Sequence, residues 1–481
     1  MRRTFITNLA LLLVLNLLVK PFYILGIDAG VQVAVGAEEY GLYAALLSLS
    51  FLLNVVLDLG ITNFNTRHIA RHSQLMGKYF SRLIGIRVVL AVIYAAITFF
   101  AAIVLGYQGR QLHLLGWLVL NQALVAMILY FRSNIAGAQR FRQDSLLSVL
   151  DRVLLIGFMG WLLWGRNDGI RLEWFVWAQT GAYAITLLIA LLMVRRLSGP
   201  IDLRWRPDFN LVVLRQSFPY ALLILLMSFY YRTDTLMLER MIPDGQVHAG
   251  IYMQGFRFFE ALNMLGFLFA GLLLPMFSRM LKEKEDVAPL ALVALRLVLA
   301  GSLAVAVLGS FWAHKVMAWR YTEHTDPSAA AFAILIWCFV AFSTSYIFGT
   351  LLTAAGRMKW LNWIAGGGAV LNICLNLVLI PRMQAEGAAW ASLVTQVLSA
   401  GIQVFVVVKI FRLPDLLPVG LRAALFASGL VAFIFLLEYL GKDALGMSIF
   451  YFIFSLLWAF LTGLIGLKPL MHAFAGRTDD H

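Results

Sequence analysis

The chain has 481 residues, of which 61% are hydrophobic and 13% charged, with mean hydropathy +0.83 and formal net charge +13. Such a composition lies far outside that of soluble domains and reads as a polytopic membrane protein, with no stretch left for a soluble catalytic domain. The basic excess falls mainly in alternate short segments between apolar spans, which argues for orientation in a bilayer and against nucleic-acid binding.

With about 20 apolar residues per membrane crossing, fourteen helices are expected. They lie near 5–27, 40–61, 83–106, 113–134, 146–165, 174–194, 213–238, 249–277, 290–318, 330–354, 360–380, 387–409, 418–440 and 445–466. The first follows Met1-Arg-Arg-Thr and has no small-residue cleavage signature, so it reads as a retained helix. It carries Lys20 beside Pro21. The proline removes a helical hydrogen bond and predicts a kink. The ammonium, counted to the outer half of the bilayer with no carboxylate at matching depth on the adjacent helix, predicts a wet cavity or an arriving anion.

Basic residues cluster in one set of connections: Arg2 and Arg3; Arg67, Arg71, Lys78 and Arg82; Arg195 and Arg196; Arg279, Lys282 and Lys284; Arg357 and Lys359; Lys409 and Arg412. The alternate set carries Asp28, Glu38, Glu39, Asp168, Glu239, Asp244, Glu323 and Asp326, with scattered Arg110, Arg166, Arg171, Arg240, Arg320, Arg382 and Lys442. The positive-inside bias then predicts both termini in the cytoplasm. The longest connection, Arg195 to Arg215 with Pro200 and Pro207, reads as a boundary between lobes. The expected organisation is an N-terminal six-helix lobe over 1–206, a second over 207–412, and two further helices with a cytoplasmic tail over 413–481. Short echoes pair helix n with helix n+6. Tyr40-Gly-Leu-Tyr opens the second helix as Ala249-Gly-Ile-Tyr opens the eighth, and Ala136-Gly-Ala-Gln-Arg ends the fourth as Thr353-Ala-Ala-Gly-Arg ends the tenth.

The seventh span contains Arg232 and Asp234, and the eighth contains Arg257 and Glu260, one helical turn apart. Charges inside hydrocarbon persist only with a partner or water, so these four predict one polar cluster between two antiparallel helices. It is either a structural pair of salt bridges or a site. The basic members can bind an anion, and Asp234 or Glu260 can balance charge or couple transport to protons or sodium. Arg87, Arg296, Asp58, Asp151 and Arg152 are further charges at span ends. Asn372 and Asn376, four apart, share a helix face and can hydrogen-bond to a neighbour or line a cleft. Cys338 and Cys374 lie in apolar spans, the histidines are scattered, and no phosphate-cradling glycine loop precedes a lysine. No enzyme, cofactor or metal centre is expected.

In the eleventh and twelfth spans, Asn372 and Asn376 precede Leu379-Ile-Pro381 and then Gly387-Ala-Ala389. With Gly41-Leu-Tyr, Asp58-Leu-Gly60, Arg232-Thr-Asp234 and Gly250-Ile-Tyr, this order resembles the polysaccharide (O-antigen-type) flippases of the multidrug/oligosaccharidyl-lipid/polysaccharide exporter superfamily. The resemblance implies two six-helix lobes around a central cleft, in the bacterial plasma membrane. It also implies movement of a polyprenyl-diphosphate-linked oligosaccharide to the outer leaflet, by alternating access, for surface polysaccharide such as lipopolysaccharide. The expected partners are that lipid-linked saccharide, the bilayer and other polysaccharide-synthesis proteins. The sister lipid II flippases use basic residues on the first and eighth helices, which raises Lys20 and Arg257, with Arg232, as substrate contacts. A drug or cation antiporter of the same superfamily, a membrane-embedded glycan polymerase or ligase, and a scaffold remain as alternatives.

Overall fold

A computed structural model describes residues 14–62, 65, 69, 76–165, 169–198, 207–440 and 444–466. The expected start of the first helix, Arg2, Arg3, Arg67, Arg71, Arg166, Asp168, Pro200, Lys442 and position 206 of the lobe boundary lie outside the described residues. In chain order the helices are α1 Val14–Val35, α2 Ala37–Asp58, α3 Met76–Val104, α4 Arg110–Gly137, α5 Phe141–Gly165, α6 Leu172–Ser198 and α7 Pro207–Met241. There follow α8 Gly245–Glu283, α9 Ala288–Phe311, a short α10 Ala313–Arg320, α11 Thr325–Ala354, α12 Met358–Phe411, α13 Leu417–Tyr439 and α14 Ala444–Leu461.

Eleven of these are long and apolar enough to cross a membrane among the described residues. The break in α12 at Gln384 (φ 52°, ψ −127°) divides it into two helices, and among the described residues α7 and α14 stand where the seventh and fourteenth helices are expected. The protein is an all-α polytopic membrane protein. The break follows Pro381, which has no N–H to offer the helix. Beyond it Gly387 lies so close to the Leu379 carbonyl that any Cβ there would overlap it, which is why the Leu-Ile-Pro and Gly-Ala-Ala segments occur together.

Several boundaries differ from expectation by a turn or more, and two of them change where a functional group or a helix lies. The first helix was expected to stop at 27, before Asp28, but α1 continues to Val35 and ends at Gly36. Asp28 is buried and accepts a 2.9 Å hydrogen bond from the Tyr40 hydroxyl, so the carboxylate can sit inside the bundle rather than in a connection. The chain around it is π-helical over Tyr23–Asp28, starting two residues after Pro21. The ninth helix was expected to run from 290 to 318. It ends at Phe311, and Ala313–Arg320 forms a separate helix after the turn at Trp312.

The described residues divide into two compact units, within Met1–Met253 and Gln254–His481. In the first, α2 packs along α7 and α4, α4 along α6, and α6 along α5. Phe80, Leu83, Ile86, Tyr130, Phe131, Ile135 and Leu147 form an apolar core at one end of it. In the second, α11 packs between α9 and α12, and α13 and α14 pack against each other and against α9.

The first turns of α2 and α8 cross at two glycines. A Cβ on Gly41 would overlap the Gln246 carbonyl, and one on Gly250 would overlap the Ala37 carbonyl. Each glycine thus abuts the carbonyl four residues before the other, a reciprocal contact that only residues without side chains allow.

Candidate functional site

Within the first unit a polar seam runs between α1, α4 and α5. Asn16, Lys20 and Tyr23 follow one another at i, i+4 and i+7 on α1, and Asp144, Ser148 and Arg152 do the same at four-residue steps on α5, so each set occupies one helix face. Two contacts join the faces in register. Asn16 donates to the Ser148 hydroxyl at 3.2 Å, and the Arg152 guanidinium lies over the Tyr23 ring at 4.5 Å. Lys20 falls between them.

Arg152 also donates through Nη1 to the Tyr183 hydroxyl of α6 at 3.1 Å and stands 3.8 Å, through Nε, from Oδ2 of Asp151. Arg132 of α4 is held by Asp144 at 2.7 Å. The side chains of Arg132, Asp144, Asp151 and Arg152 are 17–28% exposed, so none is sealed in the core as Arg87 is. Lys20 itself is half-buried and makes no hydrogen bond or ion pair among the described residues. The charges that act on it are Arg152, then Arg132, then Asp151. Arg132 and Arg152 each stand beside a carboxylate, Asp144 and Asp151, and Asp28 acts on Tyr23 and Tyr183 further along α1, which leaves Lys20 as the seam cation with no carboxylate in contact among the described residues. It lies fifteen residues before the end of α1, about 22 Å along the axis, where a helix ending at 27 would leave seven.

The four charges expected to cluster have these contacts. Asp234, 1% exposed, accepts from the Tyr252 hydroxyl of α8 at 2.9 Å. Arg232 lies over the Phe51 ring at 4.6 Å. Arg257 pairs with Glu260 on its own helix at 2.5 Å. Asn372 and Asn376 are fully buried, with the Asn376 amide donating to the Asn372 carbonyl oxygen at 3.1 Å. Arg87 is sealed in the core, bonded to Asp58, Thr62 and the Ala126 carbonyl (3.0 Å) and stacked on Tyr130 at 4.6 Å. Its donors are largely spent on structure.

Arg132 and Arg152 were not singled out as site residues by sequence. The available signal was the spacing of Asp144, Ser148 and Arg152, which puts polar groups on one face of an otherwise apolar helix. Among the described residues no group of three or more His, Cys, Asp or Glu side chains is arranged to hold a metal ion.

No curated protein matches the chain by sequence. Solved structures resemble it in fold. The lipid II flippase MurJ in an inward closed conformation has a TM-score of 0.70 at 14% identity, over 95% of this chain and 98% of that one. An inward-facing multidrug resistance MATE family transporter of the MOP superfamily has a TM-score of 0.61 at 14% identity, over 82% and 95%. A MOP superfamily transporter from Pyrococcus furiosus, described as having a binding pocket of reverse polarity that suggests a different function, has a TM-score of 0.58 at 14% identity, over 85% and 95%. At such identity the likeness establishes the fold, a polytopic helical architecture found in flippases and multidrug transporters alike. Sequence adds the narrower assignment, since the pattern described as polysaccharide biosynthesis protein matches residues 6–281, more than half of the chain. On that match the chain belongs to the polysaccharide biosynthesis protein family.

Proposed function

We propose that this protein is a flippase that moves a polyprenyl-diphosphate-linked oligosaccharide from the cytoplasmic to the outer leaflet by alternating access. The observation that carries this reading is Lys20, the cation of the α1/α4/α5 seam with no carboxylate in contact among the described residues. An ammonium among apolar helices is costly until an anion or water meets it, and a diphosphate headgroup supplies that anion while its lipid tail stays in the bilayer. The glycan needs a polar path, and the partly exposed charges of the seam are suited to line one. A binder of organic cations needs the opposite balance, and five carboxylates inside these helices are already engaged, Asp28 by Tyr40, Asp58 by Arg87, Asp144 by Arg132, Asp234 by Tyr252 and Glu260 by Arg257, while Asp151 faces Arg152 at 3.8 Å.

Arg232 and Arg257 are the second set of headgroup contacts, Asp234 and Glu260 balance their charge or couple transport to protons or sodium, and Asn372 and Asn376 are polar groups along the glycan's path. Two six-helix repeats, 1–206 and 207–412, with both termini in the cytoplasm, complete the reading. It is supported by the reciprocal Gly41 and Gly250 contacts and by the matching ends of α4 and α11. In the latter, Arg140 N–H bonds the Ile135 carbonyl at 3.0 Å as Arg357 N–H bonds that of Leu352 at 2.9 Å.

The test is transport of fluorescent polyprenyl-diphosphate-linked saccharide across proteoliposomes holding the purified protein, beside binding of polyprenyl diphosphate and polyprenol. Wild type is expected to move the saccharide lipid and to prefer the diphosphate, and Lys20→Ala to lose about tenfold or more in diphosphate affinity while Lys20→Arg keeps most of it. Export of organic cations with no movement of the saccharide lipid overturns the proposal.

A further inference from the structure

Four arginines of the first unit are buried or half-buried among apolar helices, and their donors are spent differently. Arg87 gives Nη1 to the Ala126 carbonyl and Nη2 to Asp58 and Thr62. Arg132 gives Nε to Asp144. Arg232 has its guanidinium carbon 4.6 Å from the Phe51 ring centre. Arg152 gives only Nη1, to Tyr183, and its 3.8 Å approach to Asp151 through Nε is an ion-pair distance and too long for a hydrogen bond. Its Nε and Nη2 edge, the fork that grips a phosphate by two parallel hydrogen bonds, has no hydrogen-bond partner among the described residues.

The side chain is also held in one orientation. Tyr23 stacks under it at 4.5 Å, the Tyr183 ring lies 5.9 Å away, and the bond to the Tyr183 hydroxyl fixes rotation in the plane. Both tyrosines are buried, while the Arg152 side chain keeps 28% of its surface exposed. Arg87, by contrast, spends both terminal nitrogens, on Asp58, Thr62 and the Ala126 carbonyl, and leaves only a buried Nε without a partner. Lys20 lies within one helical turn of Tyr23 on the same face of α1, and the Arg152 guanidinium is the first of the charges that act on it, so the two cations belong to one stretch of the seam.

We propose that Arg152 is a second substrate cation, and that Lys20 and Arg152 together make the seam select two adjacent phosphate groups over one. Lys20 meets one phosphate as a point charge, and the Arg152 fork takes the other in a bidentate grip. Asp151 is the resting counter-ion that the second phosphate replaces. Tyr23 opens the π-helical turn of α1, so the stacked guanidinium also ties an occupied site to the shape of that helix. The inference rests on the flippase reading and adds to it the residue that counts phosphates.

The experiment measures affinities for polyprenyl diphosphate, polyprenyl monophosphate and polyprenol in nanodiscs, for wild type, Arg152→Lys and Tyr183→Phe, with melting temperatures taken in parallel. Arg152→Lys keeps the charge and loses the fork, so the diphosphate-to-monophosphate ratio should fall about tenfold while monophosphate binding changes little. Tyr183→Phe, which frees the guanidinium to rotate, should lower the same ratio by a smaller factor. Should Arg152→Lys fail to fold, phenylglyoxal labelling of wild-type Arg152, read by mass spectrometry, gives a second measurement. Protection by the diphosphate lipid but not by the monophosphate is expected. An unchanged ratio in a folded Arg152→Lys, or equal protection by both lipids, overturns the assignment and leaves the flippase reading standing. A wild type that binds polyprenol as well as polyprenyl diphosphate overturns both.

Discussion

Asp28 is treated as a boundary when charges are counted along the chain, and as interior by the fold. A lone carboxylate would cost several kcal/mol among apolar helices, and one hydroxyl from Tyr40, twelve residues on, removes much of that cost. Asp234 is handled the same way by Tyr252. A third tyrosine does this outside the spans. Tyr107, in the connection between α3 and α4, donates at 2.8 Å to Glu239, which also pairs with Arg240 at 2.8 Å. Burial, then the Glu239 carboxylate, push the Tyr107 hydroxyl well above the usual tyrosine range. An acid whose pKa is higher in the fold than in the unfolded chain contributes stability below its unfolded value, near 10, and loses it as pH rises beyond. Thermal unfolding of the detergent-solubilised protein should therefore show a melting temperature that falls above about pH 10, with a shallower fall in Tyr107→Phe. Parallel curves for the two proteins would refute this.

At the scale of helices, the crossing of α2 and α8 is the most sterically constrained contact. Because Gly41 and Gly250 each abut a backbone carbonyl, no change of rotamer can make room for a methyl group there, and the helices must separate. Gly250→Ala should cost about 1–3 kcal/mol or more, the range for overpacking a closed contact. Gly181→Ala is the control, because a Cβ there meets nothing within 4 Å, and it should be neutral or stabilising by up to about 1 kcal/mol. Melting temperatures of the two variants decide it, and equal values would sink the claim. The helix 1 kink expected from Pro21 takes the form of a π-helical turn over Tyr23–Asp28. The extra residue in that turn changes which side chains face α5, so that Tyr23 lies under Arg152 and Asp28 meets Tyr40.

For the molecule as a whole, the alternation of basic and acidic connections makes the orientation testable without a substrate. In a background lacking Cys338 and Cys374, single cysteines at Glu38, Asp244 and Asp326 should react with an impermeant maleimide on intact cells, and one at Glu283 should react only after lysis. The reverse pattern would place the termini outside and reverse the direction of the proposed transport. The same fold serves a lipid II flippase and multidrug transporters, so architecture alone selects neither cargo, and the charge balance of the seam bears on the choice.

The residues read alone give the membrane class, the helical architecture and the family, because each rests on local or additive properties: hydropathy over twenty residues and motifs in a fixed order. The Leu-Ile-Pro and Gly-Ala-Ala pair marked the α12 hairpin for the same reason, since a proline break and a close backbone approach are written in adjacent residues. Lys20 was legible as a buried cation, but its distance from the end of α1 was not, because that depended on Tyr40 satisfying Asp28 and letting α1 run on to Val35. The partners Arg132 and Arg152 were beyond reach for a related reason. They lie more than a hundred residues from Lys20 in the chain, and only the packing of α1 against α5, registered by Asn16 on Ser148 and Tyr23 under Arg152, brings them into one seam. Which arginine keeps a free fork and which is spent on the core depends on hydrogen bonds among distant helices, and these exist only once the helices have packed.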